Sequence, residues 1–94
     1  ENDLLHDVFG APGPLDHYLG PKDAQSLRLL STKTLRHLRN GVYARHGRRF
    51  RDAELQNYFA AQAWYRENPE YTDALLNRMD RHNLKLIRFE ESQR

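Results

Sequence analysis

Cysteine is absent from this 94-residue chain, and methionine and tryptophan occur once each. The missing cysteines exclude a disulfide framework, a thiolate zinc site, a cysteine nucleophile and a lipidated cysteine within these residues. They leave the redox compartment open. No apolar run approaches the roughly 20 residues needed to span a bilayer, so a membrane-spanning helix is excluded. Also missing are a glycine-rich phosphate loop, a Gly-x-Ser-x-Gly elbow, a His-Glu-x-x-His motif and a His-x-x-x-His pair. The acids Asp52, Glu54, Glu67, Glu70 and Asp73 read as helix caps and first-turn residues. The expectation is therefore a non-enzyme with no catalytic residues, no cofactor and no metal site. The chain opens Glu1-Asn2-Asp3 without a methionine or a basic-then-apolar leader, which reads as a processed or excised piece.

What is present is charge, and its distribution matters more than its sum. The formal net charge is only +2, with 30% charged residues and a mean hydropathy of −0.95. Residues 1–26 hold five acids and one base, residues 27–51 hold eight bases and no acid, and residues 52–94 hold eight acids and six bases. One basic stretch thus lies between two acidic flanks.

A chain of this length has room for a single small core. No segment alternates apolar and polar residues as a strand would, so the fold class is all-α, a small bundle of about three helices near 32–46, 53–61 and 73–91. Ser31 is placed to cap the first, and Leu30 and Leu35 have the spacing of a hydrophobic staple. Leu35, Leu38, Val42 and His46 form its stripe, and Gly47 should end it at a left-handed position. Asn40, Gly41 and Ala44 make a small-residue face open to another backbone. Asp52 should cap the second helix, with Leu55 and Phe59 as its ridge. Thr72 or Asp73 should cap the last, whose stripe is Leu75, Leu76, Met79, Asn83, Leu86 and Ile87. Before residue 27 the Gly10–Pro14 and Gly20-Pro21 breaks forbid a continuous helix, so residues 1–26 read as a linker or loosely docked arm. Residues 27–94 form the domain.

The stretch Arg39-Asn40-Gly41-Val42-Tyr43-Ala44-Arg45-His46-Gly47 resembles the YARHG domain, named for the pentapeptide at Tyr43–Gly47. The resemblance continues through Phe50, Asp52, Glu54-Leu55, Tyr58-Phe59, Trp64-Tyr65 and Asn68-Pro69, and covers roughly residues 27–90. Arg39, Asn40, Tyr43, Arg45, His46 and Gly47 are its structural motif. It implies a bacterial, extracellular or periplasmic setting in the cell envelope and no settled molecular function. Gly41 stands where the family often has glutamate, which sharpens the basic charge. Ala63 stands where it often has proline, which loosens the approach to Trp64.

Each candidate residue carries a packing reading beside a functional one. Arg39 and Arg45, at the edges of the apolar stripe, read better as partners of carboxylates or helix-end carbonyls. His46 reads better as a helix-end hydrogen-bond donor than as a base or ligand, although antiparallel helices could bring His82 near it. His37 falls on the opposite face. Trp64 reads as core and Tyr65 as a boundary residue, yet both could offer ring faces to sugars or bases. Arg48, Arg49 and Arg51, in a turn, are the best candidates for contact with an anion. The resulting expectation is a non-catalytic envelope module. It would bind an anionic or glycan surface component, or a protein partner, through Arg48, Arg49, Arg51, Trp64 and Tyr65. The alternatives are a nucleic-acid-binding module using the basic first helix, disfavoured by its acidic flanks, and an intramolecular regulatory domain of an envelope peptidase.

Overall fold

The computed structural model describes residues 15–94, which contain four α-helices, one 3-10 turn and no strand. The helices are α1 (Pro21–Leu27), α2 (Thr32–Ala44), α3 (Ala53–Ala60) and α4 (Arg78–Ser92), and the 3-10 turn is Asp73–Leu75. α2 and α4 form the main packing pair, with α1 against α4 and α3 against α2. The all-α class holds, with one helix more than periodicity implies.

Helix α2 begins as its sequence requires. The Ser31 hydroxyl accepts the Thr34 amide at 3.0 Å, and Leu30 and Leu35 are both buried. Leu35, Leu38 and Val42 face the core, but so do His37, Asn40, Tyr43 and Ala44, because α2 is covered by α4 and α3 together. The small-residue face meets an aromatic ring and not a backbone. A Cβ on Gly41 would stand 3.7 Å from the Phe59 ring. The Asn40 side chain turns back to donate to the Arg36 carbonyl at 2.9 Å.

The regular part of α2 ends at Ala44, two residues before the expected limit, and Arg45–Gly47 form its closing turn. There the Gly47 amide donates to the Ala44 carbonyl at 2.9 Å and the Arg48 amide to the Tyr43 carbonyl at 3.4 Å. Gly47 has φ of +93°. This pairing with a left-handed glycine is the Schellman arrangement, which occupies carbonyls left free at a helix end.

Helix α3 is capped by Asp52, which accepts the Leu55 amide at 3.0 Å, and it buries Leu55 and Phe59. The last helix starts later than expected. Thr72 caps only the 3-10 turn, accepting the Ala74 amide at 3.3 Å. Asn77 instead opens α4 through a reciprocal capping box: Asp80 N donates to Asn77 Oδ1 at 2.8 Å and Asn77 N to Asp80 Oδ2 at 3.0 Å. Two amides are satisfied there where Thr72 satisfies one. Leu75, assigned to the stripe, therefore precedes the helix and is 42% exposed. The face that α4 buries carries Asp80, Asn83, Leu84 and Ile87.

Residues 15–26 depart from the reading as a linker or loosely docked arm. Leu15 and Leu19 are core residues, Leu19 only 2% exposed. Asn83 accepts the Leu19 amide at 2.9 Å and donates to the His17 carbonyl at 2.8 Å, while His82 Nε2 donates to the Leu19 carbonyl at 2.9 Å. The Gly20-Pro21 break begins a helix, since proline at the first helical position has no amide to leave unpaired. The apolar cluster Leu4–Phe9 lies outside the described residues.

Candidate functional site

The pentapeptide Tyr43–Gly47 joins three parts of the fold. Tyr43 accepts a hydrogen bond from Arg88 of α4, and its ring centroid lies 5.0 Å from the Arg48 guanidinium carbon. Arg48 also lies 5.7 Å from the Phe50 ring, so cation–π contact supplies the packing that an apolar residue often gives after a Schellman turn. Ala44 is buried. Arg45 Nη2 donates to Asp80 Oδ1 at 2.7 Å, and His46 Nε2 to Asp80 Oδ2 at 2.7 Å. Gly47 is confined as well as left-handed: a Cβ there would stand 2.6 Å from the Arg66 carbonyl oxygen and from Asn68 Cβ. The Gly47 carbonyl accepts the Asn68 amide at 2.9 Å, fixing the loop after α3 to the end of α2.

Asp80 is the residue on which these contacts converge, and it is 1% exposed. Burial by itself pushes its carboxyl upward. Hydrogen bonds from Arg45, the Asn77 amide and His46 outweigh that effect and hold it below the ordinary aspartate value. Asp80 is thus an ionised anchor for α2 on α4. The sequence reading omitted it, although Asn77-x-x-Asp80 has the spacing of a capping box and Asp80, Asn83 and Ile87 have the spacing of one helix face.

Other side chains around α2 are occupied in the same manner. Arg39 Nε donates to Glu91 at 2.8 Å, as the pairing reading anticipates. Arg36 lies 3.1 Å from Asp52 and 2.7 Å from Glu54. His37 is not on a free opposite face: it is buried, stacks on Tyr58 at 3.9 Å and meets Glu54 Oε2 at 2.6 Å. That hydrogen bond is the chief reason the Glu54 carboxyl is held below its usual value. His46 meets a carboxylate and not a backbone carbonyl, and His82 is directed to Leu19 and not toward His46. Among the described residues no three His, Asp or Glu side chains gather as metal ligands.

The two loops expected to form a contact surface are joined, because the Tyr65 hydroxyl donates to the Arg48 carbonyl at 2.7 Å. That bond also takes Tyr65 out of the exposed set, since the residue is buried. Trp64 is half-buried, edge-on to Phe59 with centroids 6.0 Å apart. Arg48 is partly buried over its aromatic partners. Arg49 and Arg51 are exposed and have no ion-pair partner among the described residues.

These features define a small all-α domain in which a helix-closing pentapeptide clamps an aspartate of the last helix. The chain belongs to the YARHG domain family, whose model matches residues 15–91. The match begins upstream of residue 27, as the burial of Leu15 and Leu19 requires. Among solved structures, a provisionally named nutrient binding protein of Legionella pneumophila is similar, with 41% identity and a TM-score of 0.71. The alignment covers 76% of this chain and 22% of that protein, so the chain spans under a quarter of its solved relative. No curated protein matches the chain. Among the described residues no helix is long and apolar enough to cross a membrane.

Proposed function

We propose that this domain is a non-catalytic binding module of the bacterial cell envelope, extracellular or periplasmic, that contacts an anionic surface polymer through the Arg48–Arg51 turn. Glycan or protein partners on the same surface belong to this reading. One observation carries it. Arg36, Arg39 and Arg45 each meet a carboxylate, whereas Arg28, Lys33, Arg49 and Arg51 stand exposed without an ion-pair partner among the described residues, and of these Arg49 and Arg51 lie in the turn joined to the loop that bears Trp64. Charges left solvated in a turn are available to a polyanion, and their contribution falls with salt. The family and the name of the Legionella relative support a binding role.

The test is binding to isolated cell-wall and outer-membrane fractions at low and moderate salt, for wild type and for Arg49→Ala/Arg51→Ala. Salt-sensitive binding that the double change weakens is expected. No binding at low salt, or equal binding by both proteins, overturns the reading. Saturable binding to duplex DNA near physiological salt would favour the nucleic-acid alternative. A second reading, a regulatory domain docking on an attached peptidase, draws support from the small share of the solved relative that the chain spans. On that reading the free domain binds no envelope polymer and recognises a neighbouring domain.

A further inference from the structure

Arg81, Leu84 and Arg88 follow one another at three- and four-residue steps along α4 and share a face. With Tyr43 of α2 and with Asp73 and Leu76 from the segment before α4, they line an open recess of about 290 Å³. Leu76 and Leu84 also line it, each showing only a small apolar part, 8% and 4% of the residue. Its polar groups are weighted toward donors. Arg88 donates one N–H to the Tyr43 hydroxyl, whose own proton has no acceptor among the described residues. The Arg81 guanidinium has neither an ion-pair nor a hydrogen-bond partner among them. The single acid of the lining, Asp73, already accepts the Tyr71 hydroxyl at 2.8 Å. Two guanidinium forks and a phenol O–H therefore border the recess, two formal positive charges against the one negative charge of Asp73. Planar forks of this type match a carboxylate in two parallel hydrogen bonds.

We infer that this recess binds a small organic carboxylate with a short apolar chain, its carboxylate held by Arg81, Arg88 and the Tyr43 hydroxyl and its chain against Leu76 and Leu84. The volume is near the lower limit of small-molecule sites, about 300 Å³, and suits a group of amino-acid size. A free acid and the carboxyl terminus of a peptide share this chemistry. Neither Arg49 nor Arg51 lines the recess.

The test is a nuclear magnetic resonance titration of the full 94-residue chain with four probes: N-acetyl-alanine, its amide, N-acetyl-trialanine and inorganic phosphate. Saturable shifts at the amides of Tyr43, Leu76 and Leu84 are expected with a carboxylate probe and not with the amide. The tighter of the two carboxylates identifies the source as free acid or peptide terminus. Arg81→Gln should weaken binding by about tenfold and leave the melting temperature unchanged, since Arg81 is exposed and holds nothing. Arg88→Lys, which keeps the charge and loses the fork, should weaken it also. An equal response to the amide or to phosphate, an absence of saturation at millimolar concentrations, or an unaltered Arg81→Gln titration overturns the inference. Arg49→Ala/Arg51→Ala should leave this titration unaltered, so failure here is distinct from failure of envelope binding.

Discussion

Arg45, in the closing turn of α2, donates to Asp80 at 2.7 Å across the interface with α4, and the carboxylate it meets is 1% exposed. His46, the next residue, takes the other oxygen of the same group. Removing one member of a buried ion pair leaves the other without compensation, at a cost of about 3–5 kcal/mol. Asp80→Asn, which keeps the shape and removes the charge, should therefore lower the melting temperature by more than roughly 10 °C in a domain of this size. Arg45→Ala should do the same, and the double variant should lose less than the sum of the two. Thermal denaturation followed by circular dichroism measures all three.

Acid should weaken this anchor in a defined direction. The folded-state value of Asp80 is depressed below 3.8, so its stabilisation is fully present above that value and is lost as pH falls through the lower folded-state one. Glu54 shifts the same way from 4.5, mainly through the His37 hydrogen bond. Urea midpoints recorded from pH 7 downward should thus fall steeply below about pH 4. In Asp80→Asn the acid limb should be shallower. Equal slopes in the two proteins would remove Asp80 from the acid response.

Two glycines six residues apart should answer alanine with opposite signs. At Gly47 a side chain meets a φ of +93° and backbone atoms 2.6–2.7 Å away. The left-handed conformation costs roughly 1–2 kcal/mol and overpacking about 1–3 kcal/mol. Gly47→Ala should accordingly be among the most damaging single changes. At Gly41 the new methyl would make ordinary contact with Phe59 at 3.7 Å inside a regular helix. Gly41→Ala should stabilise by about 0.5–1 kcal/mol. Denaturant midpoints at a fixed slope decide both.

The residues of the joined loops should separate by the same measurement. Arg49 and Arg51 have no side-chain hydrogen-bond or ion-pair partner among the described residues, so Arg49→Ala and Arg51→Ala should stay within about 0.5 kcal/mol of wild type. Tyr65→Phe removes the bond to the Arg48 carbonyl and should cost about 1 kcal/mol. Trp64→Ala should cost about 2 kcal/mol, less than the 3–5 kcal/mol of a fully buried ring, because the indole is half-buried. A near-neutral Trp64→Ala would assign that ring to the contact surface.

Features that depend on neighbours within one turn of helix were legible from the amino-acid order alone. The Ser31 and Asp52 caps, the staple of Leu30 and Leu35 and the stop at Gly47 are local: each involves groups no more than about five residues apart. The all-α class and the pairing of Arg39 and Arg45 with acids were legible for a related reason, since a charge beside an apolar stripe needs an opposite partner. The choice of partner is another matter. Asp80 is 34 residues from His46, and Asn83 is 64 from Leu19. Periodicity assigns a residue to a face and says nothing of which remote group that face will meet. Hence residues 15–26 read as an arm although Asn83 and His82 hold their backbone, and Tyr65 as a boundary residue able to offer its ring although its hydroxyl reaches the Arg48 carbonyl.

The sequence by itself thus determined where α2 and α3 begin and that α2 closes at Gly47, because capping is short-range hydrogen bonding, but it placed the start of α4 at Thr72 or Asp73 and missed α1. Only tertiary packing decided which charges are paired within the fold and which remain exposed, because that division depends on which helix faces meet. The eight bases of residues 27–51 make one block in the chain. In the folded domain Arg36, Arg39 and Arg45 tie α2 to α3 and α4, Arg48 lies over the Tyr43 and Phe50 rings, and Arg28, Lys33, Arg49 and Arg51 stay exposed.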